Sequence, residues 1–269
     1  MGASLDSDAS AGLRAARSLV LERIAAACSR TGRDPGDVTL VAVSKTVPAE
    51  RLKIAISAGL TLFGENRAQE AEAKAPLVAG ASWHLIGPLQ SNKARRAVEL
   101  FDVIESVESL DLARRLDRIA AEMGRAPLGV YLQVNVDRDA AKAGYQPETI
   151  EAELPELAAL SNLRLLGLMT VGRVVGTAEE ARATFIALRE LSGRLRRNSS
   201  RLGAGLSMGM SDDFAVAVEE GATVIRVGRA LFGSRDAAGP GCGGAGIGDG
   251  RPVGRVSGHR FWRRDPHRR

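Results

Sequence analysis

Eight short apolar runs recur along the chain, separated by stretches in which apolar residues return every three or four positions. The runs are "TLVAVSK", "LTLFGEN", "SWHLIGPL", "FDVIESV", "LGVYLQVNV", "LRLLGLMTV", "GLSMGMS" and "TVIRVGRALFG". Between them lie helix-period series such as Leu112, Leu116, Ile119 and Met123, and later Phe185, Leu188, Leu191 and Leu195. A strand buried on both faces needs a continuous apolar run, and regular strand–helix alternation calls for parallel βα units. Eight units close a (β/α)8 TIM barrel of roughly 250 residues, and residues 1–234 suit that size, with the barrel itself expected over 10–234. An open doubly wound sheet is the alternative, but the first strand-to-helix turn holds no phosphate-binding glycine fingerprint. The expected fold class is therefore α/β: a (β/α)8 TIM barrel with an extra N-terminal helix and a disordered C-terminal tail.

The extra helix is read from Leu13, Ala16, Val20, Ile24 and Ala27, with Ser10 as its cap and residues 1–9 as a flexible lead. Residues 235–269 are different material, with nine glycines and too little apolar surface to offset the entropy of ordering. A formal G-x-G-x-x-G at Gly241–Gly246 has neither strand before it nor helix after it, and is compositional. The net charge of +5 belongs to this tail, since residues 1–234 carry equal numbers of acidic and basic side chains. The barrel thus offers no electrostatic case for nucleic acid or a membrane surface, although the tail's basic, aromatic end could serve such a role. Two cysteines, Cys28 and Cys242, make no disulfide framework. The absence of a signal-peptide pattern or a spanning apolar run makes a cytoplasmic protein the expectation, and a monomer is expected for want of a spare apolar stripe.

In a barrel the loops after the strands converge on one face, and the reactive residues gather at those strand ends. The first run ends at Lys45, one of only five lysines among 37 basic residues. The second ends in Glu65 and Asn66, and the third carries His84. The seventh holds Ser207, Met208, Gly209 and Ser211, and the eighth holds Arg226 and Gly228. Loops after strands seven and eight commonly hold phosphate, using backbone N–H groups and hydroxyls. A phosphate there and a lysine at strand one suggest a phosphorylated carbonyl compound held as a Schiff base. A desolvated strand-end lysine has a lowered pKa, which favours that condensation. His84, beside Trp83, reads as a satisfied core or rim histidine before a catalytic base. Asp212 and Asp213 could be a metal pair, but acids in a helix's first turn also meet its dipole favourably. Arg226, a charge within a strand, needs a partner.

Taken together, "LVAVSKTVP", "FGENRAQE", "WHLIGPLQSNK", "VNVDRDAAKAG", "GLMTV", "LSMGMSDDF" and "GATVIRVGRALFG" resemble the pyridoxal phosphate homeostasis protein family. That family's barrel is related to the N-terminal domain of alanine racemase. The resemblance covers about residues 10–234. It implies that Lys45 forms the Schiff base with pyridoxal 5′-phosphate (PLP), that Ser207, Met208 and Gly228 lie in phosphate-lining motifs, and that Arg226 faces the pyridine nitrogen. Asn66 and His84 fall in motifs lining the same cavity. After "RVG" the family usually has Ser or Thr where this chain has Arg229; an arginine there either pairs with the phosphate or points outward.

The resemblance implies a non-catalytic protein of PLP homeostasis, holding the cofactor reversibly and passing it to PLP-dependent apo-enzymes. The alternative is a weak PLP-dependent amino-acid racemase or lyase. An arginine partner leaves the pyridine nitrogen unprotonated and weakens the ring as an electron sink. Racemisation also needs a second acid–base group, which the related racemase takes from a tyrosine of a separate domain. This chain is expected to have no room for that domain, and its two tyrosines are Tyr131 and Tyr145.

Overall fold

The computed structural model describes residues 2–173 and 175–233. Its strands are β1 (Thr39–Val43), β2 (Leu62–Glu65), β3 (Ser82–Leu85), β4 (Val103–Val107), β5 (Leu128–Gln133), β6 (Leu163–Met169), β7 (Gly205–Ser207) and β8 (Val224–Val227). All eight runs expected as strands contain one. Neighbours pair in parallel in chain order, and β8 returns to β1 with Thr39 opposite Val224 and Ala42 opposite Val227, closing the barrel. No sheet edge is left to pair with another chain.

The helices are α1 (Gly2–Thr31), α2 (Ala49–Ser57), α3 (Ala68–Lys74), α4 (Ala94–Leu100), α5 (Leu110–Glu122), α6 (Pro147–Ala159), α7 (Arg182–Asn198), α8 (Phe214–Glu219) and α9 (Arg229–Phe232). The amphipathic pattern shows best in α5, where Leu112, Leu116 and Ile119 are buried and Ser109 caps the first turn by accepting from Leu112 N–H. In α7, Phe185, Leu188, Leu191 and Leu195 are buried against the barrel. These side chains join the strands' outward faces in the main core. Inside the barrel, Val41, Tyr131, Met169 and Val224 form a separate, smaller cluster, as expected of a filled barrel rather than a pore.

Helix α1 lies against α2, α8 and α9, the helices flanking the β8–β1 seam. Leu13, Val20, Ile24 and Ala27 are buried as its spacing predicts. Its start differs from expectation, because α1 begins at Gly2 rather than after Ser10. Ser10 is buried within it, and its hydroxyl meets no partner among the described residues. Residues 2–9 contain no proline to stop a helix propagating from the apolar face. The disordered tail expected at 235–269, with Cys242, lies outside the described residues. Among the described residues no helix is long and apolar enough to cross a membrane.

Candidate functional site

Strand order brings the sequence-predicted residues to one end of the barrel. β1 lies between β2 and β8, so Lys45, two residues beyond β1, follows the strand flanked by those that lead into Asn66, just after β2, and Gly228, just after β8. The desolvation expected for Lys45 is not found. It is exposed in the turn that follows Ser44, and its amine meets no partner among the described residues. Val41 and Ala42 of β1 are buried, and Ser44, also buried, still donates its N–H to Gly64 O at 3.0 Å, so exposure begins at the lysine itself, the first residue of the turn. Asn66 is half-buried, with its side chain equally unpartnered among the described residues.

Below this rim a chain of polar groups crosses the barrel. His84 on β3 meets Glu105 on β4, with Nδ1 2.6 Å from Oε1. The Ser207 hydroxyl donates to Glu105 Oε2 at 2.5 Å and accepts from Arg226 Nη1 at 2.5 Å. Arg226 Nη2 donates to Thr170 O at 2.7 Å. β4 and β7 are not neighbours in the sheet, so the Glu105–Ser207 bond passes through the interior. Burial alone would raise the Glu105 carboxyl, but bonds and charge from His84, the charge of Arg226 and the Ser207 hydroxyl outweigh it and hold its pKa below the ordinary value. As a carboxylate Glu105 can only accept, so His84 Nδ1 carries the proton and Nε2 is the ring's remaining polar atom. Burial pulls the Arg226 pKa down, opposed by Glu105 and Asp213. The charge that needed a partner has one, since Glu105 Oε2 lies 3.8 Å from Arg226 Nη1.

Glu105 was missed in the sequence. Its signal is the one that exposed Arg226: a charged residue inside an apolar run, here "FDVIESV".

The turn after β7 is tightly built. Gly209 adopts φ +91°, and a Cβ there would lie 2.5 Å from Ala217 Cβ. Packing against α8 thus demands this glycine, whatever ligand approaches. Gly228 is confined in turn by β1, because an added Cβ would lie 3.3 Å from Val43 Cβ. Its N–H donates to Ser211 Oγ at 3.2 Å, which puts a hydroxyl and a backbone donor together at the end of β8. Ser207 has its hydroxyl engaged by Glu105 and Arg226. Met208 is buried in the main core, its N–H donated to Val224 O at 3.1 Å.

Asp212 and Asp213 precede α8 instead of sitting in its first turn. Asp213 accepts from Met210 N–H at 2.6 Å and locks the β7–α8 turn, while burial raises its pKa. Asp212 pairs with Arg229, and both are largely exposed, so Arg229 points outward. Among the described residues no group of three or more His, Cys, Asp or Glu is placed to hold a metal ion.

Residues 21–236 match the family model described as alanine racemase, N-terminal domain. The chain is 45% identical over 223 residues to the pyridoxal phosphate homeostasis protein of Pseudomonas aeruginosa, across 82% of this chain and 95% of that one. The protein of the same name from Escherichia coli is 42% identical over 231 residues, across 81% and 94%. Among solved structures, PipY of Synechococcus elongatus with PLP bound is 47% identical, with a TM-score of 0.71 over 80% of this chain and 100% of that one. Alanine racemase of Clostridium difficile is 15% identical, with a TM-score of 0.62 over 79% and 58%, and shares the fold alone. With relatives this similar along nearly their whole length, on an alanine racemase N-terminal barrel, the chain belongs to the pyridoxal phosphate homeostasis protein family.

Proposed function

We propose that this chain is a non-catalytic, cytoplasmic PLP-binding protein of cofactor homeostasis, holding PLP reversibly on Lys45 and releasing it to PLP-dependent apo-enzymes. The observation that carries this reading is an exposed Lys45, its amine unpartnered among the described residues, in the turn after β1, with the Ser211 hydroxyl held by Gly228 N–H at the end of the adjoining strand β8. When bound, PLP supplies an aldehyde for condensation with the Lys45 amine and a phosphate that takes hydrogen-bond donors. The donor set fits that chemistry. Ser211 Oγ accepts from Gly228 N–H and keeps its own hydrogen to donate to a phosphate oxygen, Asn66 and His84 are assigned to the cofactor's surroundings, and Met208 supports the turn from within the core. Ser207 is assigned to hold Arg226 rather than to touch phosphate, because its hydroxyl is already spent. Arg226, a donor without acceptor capacity, is assigned to the pyridine nitrogen. The exposure of Lys45 suits exchange, since nothing in the described turn seals its amine from water. Among the described residues the large exposed apolar side chains are Leu19 on α1, Leu77 between α3 and β3, and Met210 between β7 and α8; their separation along the chain supports a monomer.

The tyrosines argue against efficient proton abstraction. Burial, with the charge of Glu105, pushes the Tyr131 hydroxyl up to about 12, and burial likewise raises Tyr145. A phenol held in its protonated form is a poor acceptor of an α-proton at neutral pH. The test follows amino acids in deuterated water with the PLP-loaded protein. Exchange of the α-proton no faster than with free PLP is expected, whereas turnover once per second or faster would make the protein an enzyme.

A further inference from the structure

The turn that carries Lys45 is gripped on both sides by α3. Lys74 Nζ donates to Ser44 O at 2.9 Å and to Glu65 Oε1 at 2.8 Å. The Ser44 hydroxyl donates to the same Glu65 oxygen at 2.7 Å. On the far side of Lys45, Thr46 N–H donates to Glu70 Oε2 at 3.2 Å, and that oxygen lies 3.7 Å from Lys74 Nζ. Thr46 has φ +65°, a left-handed conformation unfavourable for a β-branched residue, which must be held by contacts around it. The Lys74 side chain is only 12% exposed and Glu65 is wholly buried. An ammonium ordinarily keeps its head in water, so its commitment to a loop carbonyl calls for a reason. Barrel closure does not supply one, because β1 and β2 already pair through their backbones at Ala42–Phe63 and Val43–Gly64.

We propose that Lys74 and Glu70 are positioning residues for Lys45, holding Ser44 and Thr46 so that the lysine between them leaves the barrel in one fixed direction. This rests on reading Lys45 as the lysine that captures the aldehyde. Lys74 and Glu70 act through the backbone and touch no cofactor atom. The benefit is preorganisation, since a floppy lysine must be ordered at each binding event.

The test uses the full chain and its Lys74→Met, Lys74→Arg and Glu70→Ala variants. Amide hydrogen exchange at Thr46 without cofactor reads the clamp, and titration of the visible PLP band reads affinity. Thr46 exchange is expected to quicken about tenfold in Glu70→Ala with the loss of its acceptor. PLP is expected to bind about tenfold more weakly to Lys74→Met, with Lys74→Arg, which keeps a charged donor, recovering most of the loss. Should Lys74→Met fail to fold, Glu70→Ala still decides the matter, because Glu70 is partly exposed. Wild-type-like exchange and affinity in Glu70→Ala, or Lys74→Arg binding no better than Lys74→Met, would overturn the proposal while leaving Lys45 as the capturing lysine. A wild type that forms no band would remove the reading of Lys45 and this role with it.

Discussion

The Glu105 carboxylate on β4 accepts a hydrogen bond from the Ser207 hydroxyl on β7 at 2.5 Å, across the inside of the barrel. Ser207 in turn accepts from Arg226, so an anion and a cation are buried together with a hydroxyl between them. Removing one charge strands the other. Glu105→Ala is expected to lower unfolding stability by about 3–5 kcal/mol, and Ser207→Ala by about 1–3 kcal/mol. Urea unfolding measures both. A Glu105→Ala loss below 1 kcal/mol would mean that Arg226 finds another partner.

The same carboxylate sets a pH dependence. Its folded pKa lies below the ordinary 4.5, so below that value the unfolded chain binds the proton first. The stability Glu105 contributes is complete above 4.5 and is lost as pH falls through the folded pKa. Glu65 runs the other way. Burial raises its pKa above 4.5 despite Lys74 and Ser44, so its destabilising effect is complete above the folded pKa and gone below 4.5. Stability profiles of wild type and Glu105→Gln should therefore converge as pH drops below 4.5. A constant gap between them down to acid unfolding would refute the assignment.

Gly209→Ala tests the β7–α8 turn. The substitution forces a Cβ to within 2.5 Å of Ala217 Cβ at a φ of +91°, and it should cost about 2–4 kcal/mol from overpacking and strain together. Thermal unfolding reads the loss. A variant as stable as wild type would show that the turn can relax.

Arg229 stands where the sequence resemblance implies a hydroxyl, yet its guanidinium pairs with Asp212 on the surface. Arg229→Ala should leave PLP affinity within about twofold, less than 0.5 kcal/mol. A tenfold loss on titration would show that the side chain swings in to the phosphate.

Much of this was legible in the chain because barrel strands are buried on both faces. "LGVYLQ" is buried at every position of β5, and such runs stand out whatever their partners are. Arg226 could be singled out because charge is costly there, and Glu105 offered the same signal at the middle of β4. Lys74 could not be read, since its carbonyl partner lies 30 positions away and only the fold brings them together. The exposure of Lys45 also escaped the sequence, because an apolar run tells where a strand is buried but not at which residue the following turn reaches the surface. Ser10 misled as a helix start, for a capping residue type carries no signal of whether the preceding residues are also helical.

The central claim is tested most directly by reducing the PLP-loaded full chain with borohydride and mapping the modified peptide. The account predicts one label, on Lys45, and no reducible visible band in Lys45→Ala. A label on another lysine, or an equally strong band in Lys45→Ala, would contradict it.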